Sequence, residues 1–326
     1  MSALEEPRGP DRPPDTPSVD DDRLRLVFTC CHPALAMEAR VALTLKAVSG
    51  LSTAAIARAF LTTEATMSQR LLRAKRKISN AGISLGVPSA SMLAERLDGV
   101  LAVIYLVFTS GYAGSADELA DEAIRLGRLL VELMPESDEA RGLLALMLLH
   151  HARREARTFG DELVTLEHHD RSRWDTEAIA EALALAQLPG TTRGPYRVQA
   201  DLAAVHAGAS DVTDTDWPAI VGLYDELLRL MPSPIVELSR AIAVGMSDGP
   251  LAGLAALDTV ADEPKLTGHY LLPAARADLL ARAGLWAEAV LTLDEAMALA
   301  PTDQETRQIA RRRSELIADI EQSDRP

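Results

Sequence analysis

Cysteine is nearly absent from this 326-residue chain, which carries only the adjacent pair Cys30 and Cys31. Two neighbours in sequence give no disulfide framework, and the composition suits a reducing compartment. Aromatic residues make up 4% of the chain, and β-branched residues rarely alternate with polar ones, which excludes a sheet-rich core. Long apolar runs are also missing. The longest, Leu143–Leu149, falls far short of the roughly 20 residues that span a bilayer, and no N-terminal apolar h-region occurs. No membrane association and a cytoplasmic location are therefore expected. Positive charge is scarce: 33 Lys and Arg face 48 Asp and Glu, for a net charge of -15. That excludes a general affinity of the whole surface for nucleic acid or anionic lipid. The motifs of common enzymes are lacking as well: no GxSxG, no P-loop, no GxGxxG and no HExxH. No catalytic residue, metal site or cofactor is expected, and the chain is read as a non-enzyme.

What remains is rich in Ala and Leu. A hydrophobic content of 48% is ample for a buried core, and its composition predicts an all-α protein packed through small residues and leucine. The length allows about two domains.

The cations that do occur are concentrated. Arg40, Lys46, Arg58, Arg70, Arg73, Lys75, Arg76 and Lys77 lie within one stretch, opposed between Arg40 and Lys77 only by Glu64. Inside it, Leu51–Ile78 (LSTAAIARAFLTTEATMSQRLLRAKRKI) reads as two helices joined by a turn at Leu61-Thr62-Thr63. Ser52 or Thr53 can cap the first helix, whose inner face is Ile56, Ala57 and Phe60. Thr63 can cap the second, with Met67, Leu71 and Ala74 facing inward. Ala65, Ser68, Gln69, Leu72, Arg73, Arg76 and Lys77 then face outward, with Arg70 on the flank. This is the pattern of a helix-turn-helix whose second helix enters a DNA major groove. Thr66 belongs to the same DNA-facing set. Ser68 and Gln69 can bond base edges, Arg70 and Arg73 can reach guanine edges or phosphates, and Arg76 and Lys77 suit the backbone.

The register of these residues resembles region four of bacterial RNA polymerase sigma factors of the extracytoplasmic-function class. Leu51-Ser52, Ile56-Ala57, Thr66-Met67, Arg70-Leu71 and Arg73-Ala74-Lys75 carry the resemblance. The preceding DDRLRLVFTCCHPALAMEARVALTLKAVSGLS is similar to one subgroup, which has a long helical extension with tetratricopeptide-like repeats; Asp170–Asp175 (DRSRWD), Gly194–Tyr196 (GPY) and Asp214–Trp217 (DTDW) also fit that extension. The chain departs from the family in two ways. Leu61 and Ala65 stand where many members have glycine, and region two, which opens promoters, is absent before the helix-turn-helix. The resemblance implies promoter DNA and the RNA polymerase core as partners, and a chain that cannot start transcription by itself.

Around this reader, residues 1–22 are Pro-rich and acidic and are expected to form a flexible linker or tail. Residues 23–86 would be the region four-like domain, with Leu24, Val27, Phe28 and Cys31 at helical spacing, a helix over Ala34–Val48, and Gly50 closing it. Residues 87–326 would be a helical extension carrying degenerate repeats. Glu118–Met134, Trp217–Met231 and Gly284–Ala300 each end in proline, and the last fits the repeat best through Gly284, Trp286, Ala289, Ala296 and Pro301. Such an array could hold a protein or peptide. Arg311-Arg312-Arg313 reads as a solvated face. Cys30 and Cys31 read as buried thiols, His150 and His151 as surface or capping residues. Asp170–Asp175 is either a polar docking site or a cap at Asp175 with local arginine ion pairs; Asp216 should cap the helix that begins at Trp217. The alternative function is a stand-alone DNA-binding regulator whose array senses a ligand, and a third reading is an interaction scaffold with a vestigial reader.

Overall fold

The computed structural model describes residues 19–60, 62–83, 90–112, 117–159, 162–188, 190 and 193–323. It is all-α apart from one two-residue antiparallel ladder, in which Thr158 pairs with Leu163 and Phe159 with Glu162. The chain forms two compact units, one through Gly111 and one from Tyr112 onward. The boundary expected at residue 86 lies outside the described residues, and the long helix that follows it groups with the first unit.

That unit contains α1 (Val19–Cys30), α2 (Met37–Ala47), α3 (Thr53–Ala59), α4 (Glu64–Asn80) and α5 (Ala90–Tyr112). Most of the expected tail lies outside the described residues, but its last four residues are helical: α1 starts at Val19. Three acids after Val19 suit the positive end of a helix. α2 starts three residues later than expected, because Leu35 N–H bonds the His32 carbonyl and Ala34 N–H bonds His32 Nδ1. Val27, Phe28 and Cys31 are buried, as the spacing requires. α5 approaches the α1–α2 turn closely, since a Cβ on Gly99 would stand 3.6 Å from the Cys31 carbonyl oxygen.

The second unit begins with α6 (Asp117–Leu133) and α7 (Asp138–His151). Leu143 and Leu146–Leu149 of α7 are at most 2% exposed. This helix has no solvent face over its central turns, because α6, α8 (Thr176–Gln187) and α9 (Pro195–Gly208) surround it. Fully burying each such side chain contributes about 1.5–3 kcal/mol. α7 also starts α9: the Glu139 carboxylate accepts from the Tyr196 and Arg197 N–H groups at 3.1 and 2.9 Å. A carboxylate there satisfies two of the free donors of a helix N-terminus and suits its dipole.

Between α7 and α8 the chain makes single 3₁₀ turns and the short hairpin of β1 (Thr158–Phe159) and β2 (Glu162–Leu163). Asp175 caps α8 by accepting from Glu177 and Ala178 N–H. Then α10 (Trp217–Leu230), α11 (Pro234–Ser247), α12 (Pro250–Asp258), α13 (Leu271–Arg282), α14 (Trp286–Leu299) and α15 (Asp303–Ser323) pack as successive neighbours. Asp216 caps α10 through Ala219 N–H at 2.9 Å. Gly284, at φ 76°, closes α13, and Ala289 and Ala296 of α14 are fully buried. The array curls until α15 meets β2, and Arg282 bonds Glu167 at 2.8 Å.

Three expectations are corrected. Arg311, Arg312 and Arg313 are not simply solvated: Arg313 bonds Asp294 of α14 at 2.7 Å, while Arg311 and Arg312 pair with Glu315. Arg171 makes no local ion pair among the described residues; it reaches the carbonyls of His206 and Ala209 at 3.1 and 2.6 Å and lies 4.4 Å over Trp174. Of the histidine pair, His151 is internal and His150 is half-buried. His151 is 8% exposed and pairs with Asp121 at 3.0 Å, and His150 bonds Arg153 at 3.1 Å. The apolar wrap around α7 takes its last turn inside with the rest.

Two predictions follow from the packing. α11 and α12 touch through glycine, and a Cβ on Gly253 would lie 2.6 Å from Gly245 Cα and 2.9 Å from Leu279 Cδ1. Gly253→Val should therefore cost about 1–3 kcal/mol, read as a lower urea midpoint. Burial first, then the charges of Arg153 and its neighbours, lowers His150 to about 3 and His206 to about 4. Unfolded, both return to about 6.5, so between those values the unfolded chain binds more protons. Stability should be intact above about pH 6.5 and fall as pH drops towards 5, by about 1–2 kcal/mol per histidine. His150→Gln should flatten that slope in urea titrations at successive pH values.

Candidate nucleic-acid interface

The interface is built on α2, α3 and α4, which pack against one another. Gly50, at φ 71°, ends α2 in the left-handed region and turns the chain into α3. Ser52 caps α3 by accepting from Ala55 N–H at 3.0 Å. Thr63 caps α4 by accepting from Thr66 N–H at 3.2 Å. Leu61, the expected centre of the turn, lies outside the described residues. Ile56, Ala57, Met67, Leu71 and Ala74 are all buried, at 0%, 3%, 0%, 6% and 4% exposure. This seam fixes the rotation of α4 about its axis, because residues 67, 71 and 74 repeat at helical spacing. Phe60, expected on the inner face, is only half-buried, and the Arg70 guanidinium covers its ring at 5.6 Å.

With that rotation set, Thr66, Ser68, Gln69, Arg73, Arg76 and Lys77 are all exposed, together with Leu72 at 44% and Lys75. Six of the seven members of the expected DNA-facing set are thus on the outside of one 17-residue helix, and the seventh, Arg70, is half-buried. Two of its members carry structural duties. Thr66 Oγ1 shares a 2.8 Å bond with Thr63 Oγ1 in the cap. Arg70 pairs with Glu38 of α2 at 3.0 Å, so it is a clamp between helices as much as a contact. The second duty could not be read from the sequence, because Glu38 lies 32 residues away from Arg70.

The basic stretch therefore divides in two. Arg40 donates to the carbonyls of Leu35 and Pro33, both at 2.9 Å, and Lys46 donates to the Leu51 carbonyl at 3.2 Å. These cations hold turns. Arg58, Arg73, Lys75, Arg76 and Lys77 are exposed, and no carboxylate pairs with them among the described residues. An unneutralised cationic face with polar side chains between the charges can contact phosphates and base edges together.

Behind the interface, Cys30 and Cys31 are 3% and 2% exposed. Burial is the main cause that raises their thiols to about 12 and 11, so they behave as small apolar residues, not nucleophiles. Among the described residues no group of three or more His, Cys, Asp or Glu could hold a metal ion, and no helix is long and apolar enough to cross a membrane.

Residues 25–78 match the family Sigma-70, region 4, which is the segment from within α1 to the end of the reading helix. Residues 96–188, from α5 through α8, match a family of unknown function, DUF6596. The first unit thus contains a sigma-type helix-turn-helix domain. A protein of Rhizobium meliloti (strain 1021), itself described as uncharacterized, is 44% identical over 308 residues, which is 92% of this chain and 72% of that protein. The chain belongs to the same family as that protein, a sigma-factor-like family.

The caps offer a direct check of this architecture. Thr63→Ala removes the side-chain acceptor that caps α4 and should cost about 1 kcal/mol, while Thr63→Asn should restore it. Thermal melting by circular dichroism of the three proteins measures both.

Proposed function

We propose that the chain is a sigma-factor-type transcription protein. α4 reads a -35-type promoter element, the flank of the helix-turn-helix binds the RNA polymerase core, and the second unit is a tetratricopeptide-like array that regulates the reader or binds a protein. The observation that carries this reading is the exposed row on α4, where Ser68, Gln69, Arg73, Arg76 and Lys77 stand clear in a chain of net charge -15. The acidic remainder repels DNA, so the complex should form on this face alone. The chain works as a non-enzyme in the cytoplasm, where promoters and polymerase are found.

A second reading is a DNA-binding regulator that never joins polymerase and whose array senses a ligand. The half-open space within the second unit favours it, and co-purification with polymerase core separates the two. DNA binding itself is tested by fluorescence anisotropy on promoter fragments at several salt concentrations. Arg73→Ala and Lys77→Ala should each weaken binding about three- to tenfold and make the salt slope shallower by about 0.9 per lost phosphate contact. Arg70→Ala should weaken it with a lower melting temperature as well, since the Glu38 clamp is lost. Affinity unchanged in all three variants would remove the reader from the proposal.

A further inference from the structure

The curled second unit borders a half-open cavity of about 890 Å³, within the size range of small-molecule sites. One wall is apolar and comes from the array: Ile242 and Met246 of α11, Ala274 of α13, Leu293 of α14 and Ile309 of α15. The opposite end comes from the 3₁₀ turns and from α9 and α10, with Arg171, Arg173, His206 and Trp217.

The charges of the wall do not balance locally. Glu167 and Asp278 both accept from Arg282 at 2.8 Å, and Asp278 also faces Arg312 at 3.8 Å. Glu315 takes Arg311 and Arg312 at 3.6 and 3.5 Å. Asp170 is turned onto the Ser172 N–H and hydroxyl at 3.0 and 2.6 Å. The acids of the wall are therefore engaged, which leaves Arg171 and Arg173. Arg171 is held by two carbonyls and by the Trp174 ring, and these orient a guanidinium without neutralising it. Its field reaches Asp211, an exposed residue that caps Thr213. Arg173 is exposed and within electrostatic reach of Asp170, whose carboxylate bonds Ser172 and makes no ion pair with Arg173 among the described residues. Trp174, under the Arg171 guanidinium but outside the cavity lining, is 7% exposed and its Nε1 finds no acceptor among the described residues, and His169 Nδ1, also outside the lining, is likewise without a partner among them. Buried polar atoms left unpaired are rare in folded proteins.

We propose that this cavity binds a small amphipathic organic anion, with its acidic head on Arg171 and Arg173 beside His206 and its apolar body along α11, α13, α14 and α15. The site lies wholly in the second unit, so it stands or falls apart from DNA recognition. The test uses the full chain and 8-anilinonaphthalene-1-sulfonate, an apolar body with a sulfonate head, followed by fluorescence. One molecule should bind saturably, dodecanoate should displace it, and dodecyltrimethylammonium, the cation of equal chain length, should not. Arg173→Glu should weaken the probe about tenfold or more with an unchanged melting curve. Met246→Trp should weaken it by filling the apolar wall. Absence of saturable binding, equal displacement by the cation, or a native-like Arg173→Glu protein with unaltered affinity would overturn the proposal.

Discussion

A helix with no solvent face is the constraint on which the second unit depends. Because α7 is apolar on every side through its centre, it must be wrapped, and the wrapping elements inherit fixed positions from it. α9 receives its N-terminal cap from Glu139 at the start of α7. The Asp138–Arg141 pair, buried at 2.7 Å, meets Arg197 of α9 at the same crossing. One partner of such a pair cannot be removed cheaply, since it leaves a buried charge uncompensated. Apolar burial thus supplies the energy of the crossing, and the ionic groups at the rim of α7 fix its register.

Arginine does two kinds of work in this protein, and geometry separates them. Where a guanidinium finds backbone carbonyls, as Arg40 and Arg171 do, it holds turns together with a rigid fork of donors. Where it finds neither carbonyl nor carboxylate, as on the outer row of α4, its charge is available to a partner. In an acidic chain the second kind is scarce, which gives position along the chain more meaning than the total charge does.

The fold was legible wherever a local rule sufficed. Helical periodicity placed α6 and α10 to within a residue, and capping chemistry located the starts of α3, α4, α8 and α10 at Ser52, Thr63, Asp175 and Asp216. The inward seam of α4 followed from spacing alone. What stayed hidden depends on residues far apart in sequence. Glu38 reaching Arg70, Arg171 reaching α9, and Arg313 reaching Asp294 leave no periodic trace. Nor does the burial of His151, because adjacent polar residues at a helix end resemble a cap until the neighbouring elements are in place. The cavity is a product of curvature, which no window of sequence records.

That curvature carries a thermodynamic consequence. A linear array of helix pairs gains its stability from adjacent units and can unravel from either end. Here the last helix returns to the hairpin that precedes the array, and the Arg282–Glu167 bond joins residues 115 positions apart. Closing so long a loop is entropically slow, yet once made it ties the final helix to a turn far away in sequence. The second unit should therefore melt as one cooperative body, and perturbation of its final helix should be felt at the turn after α7.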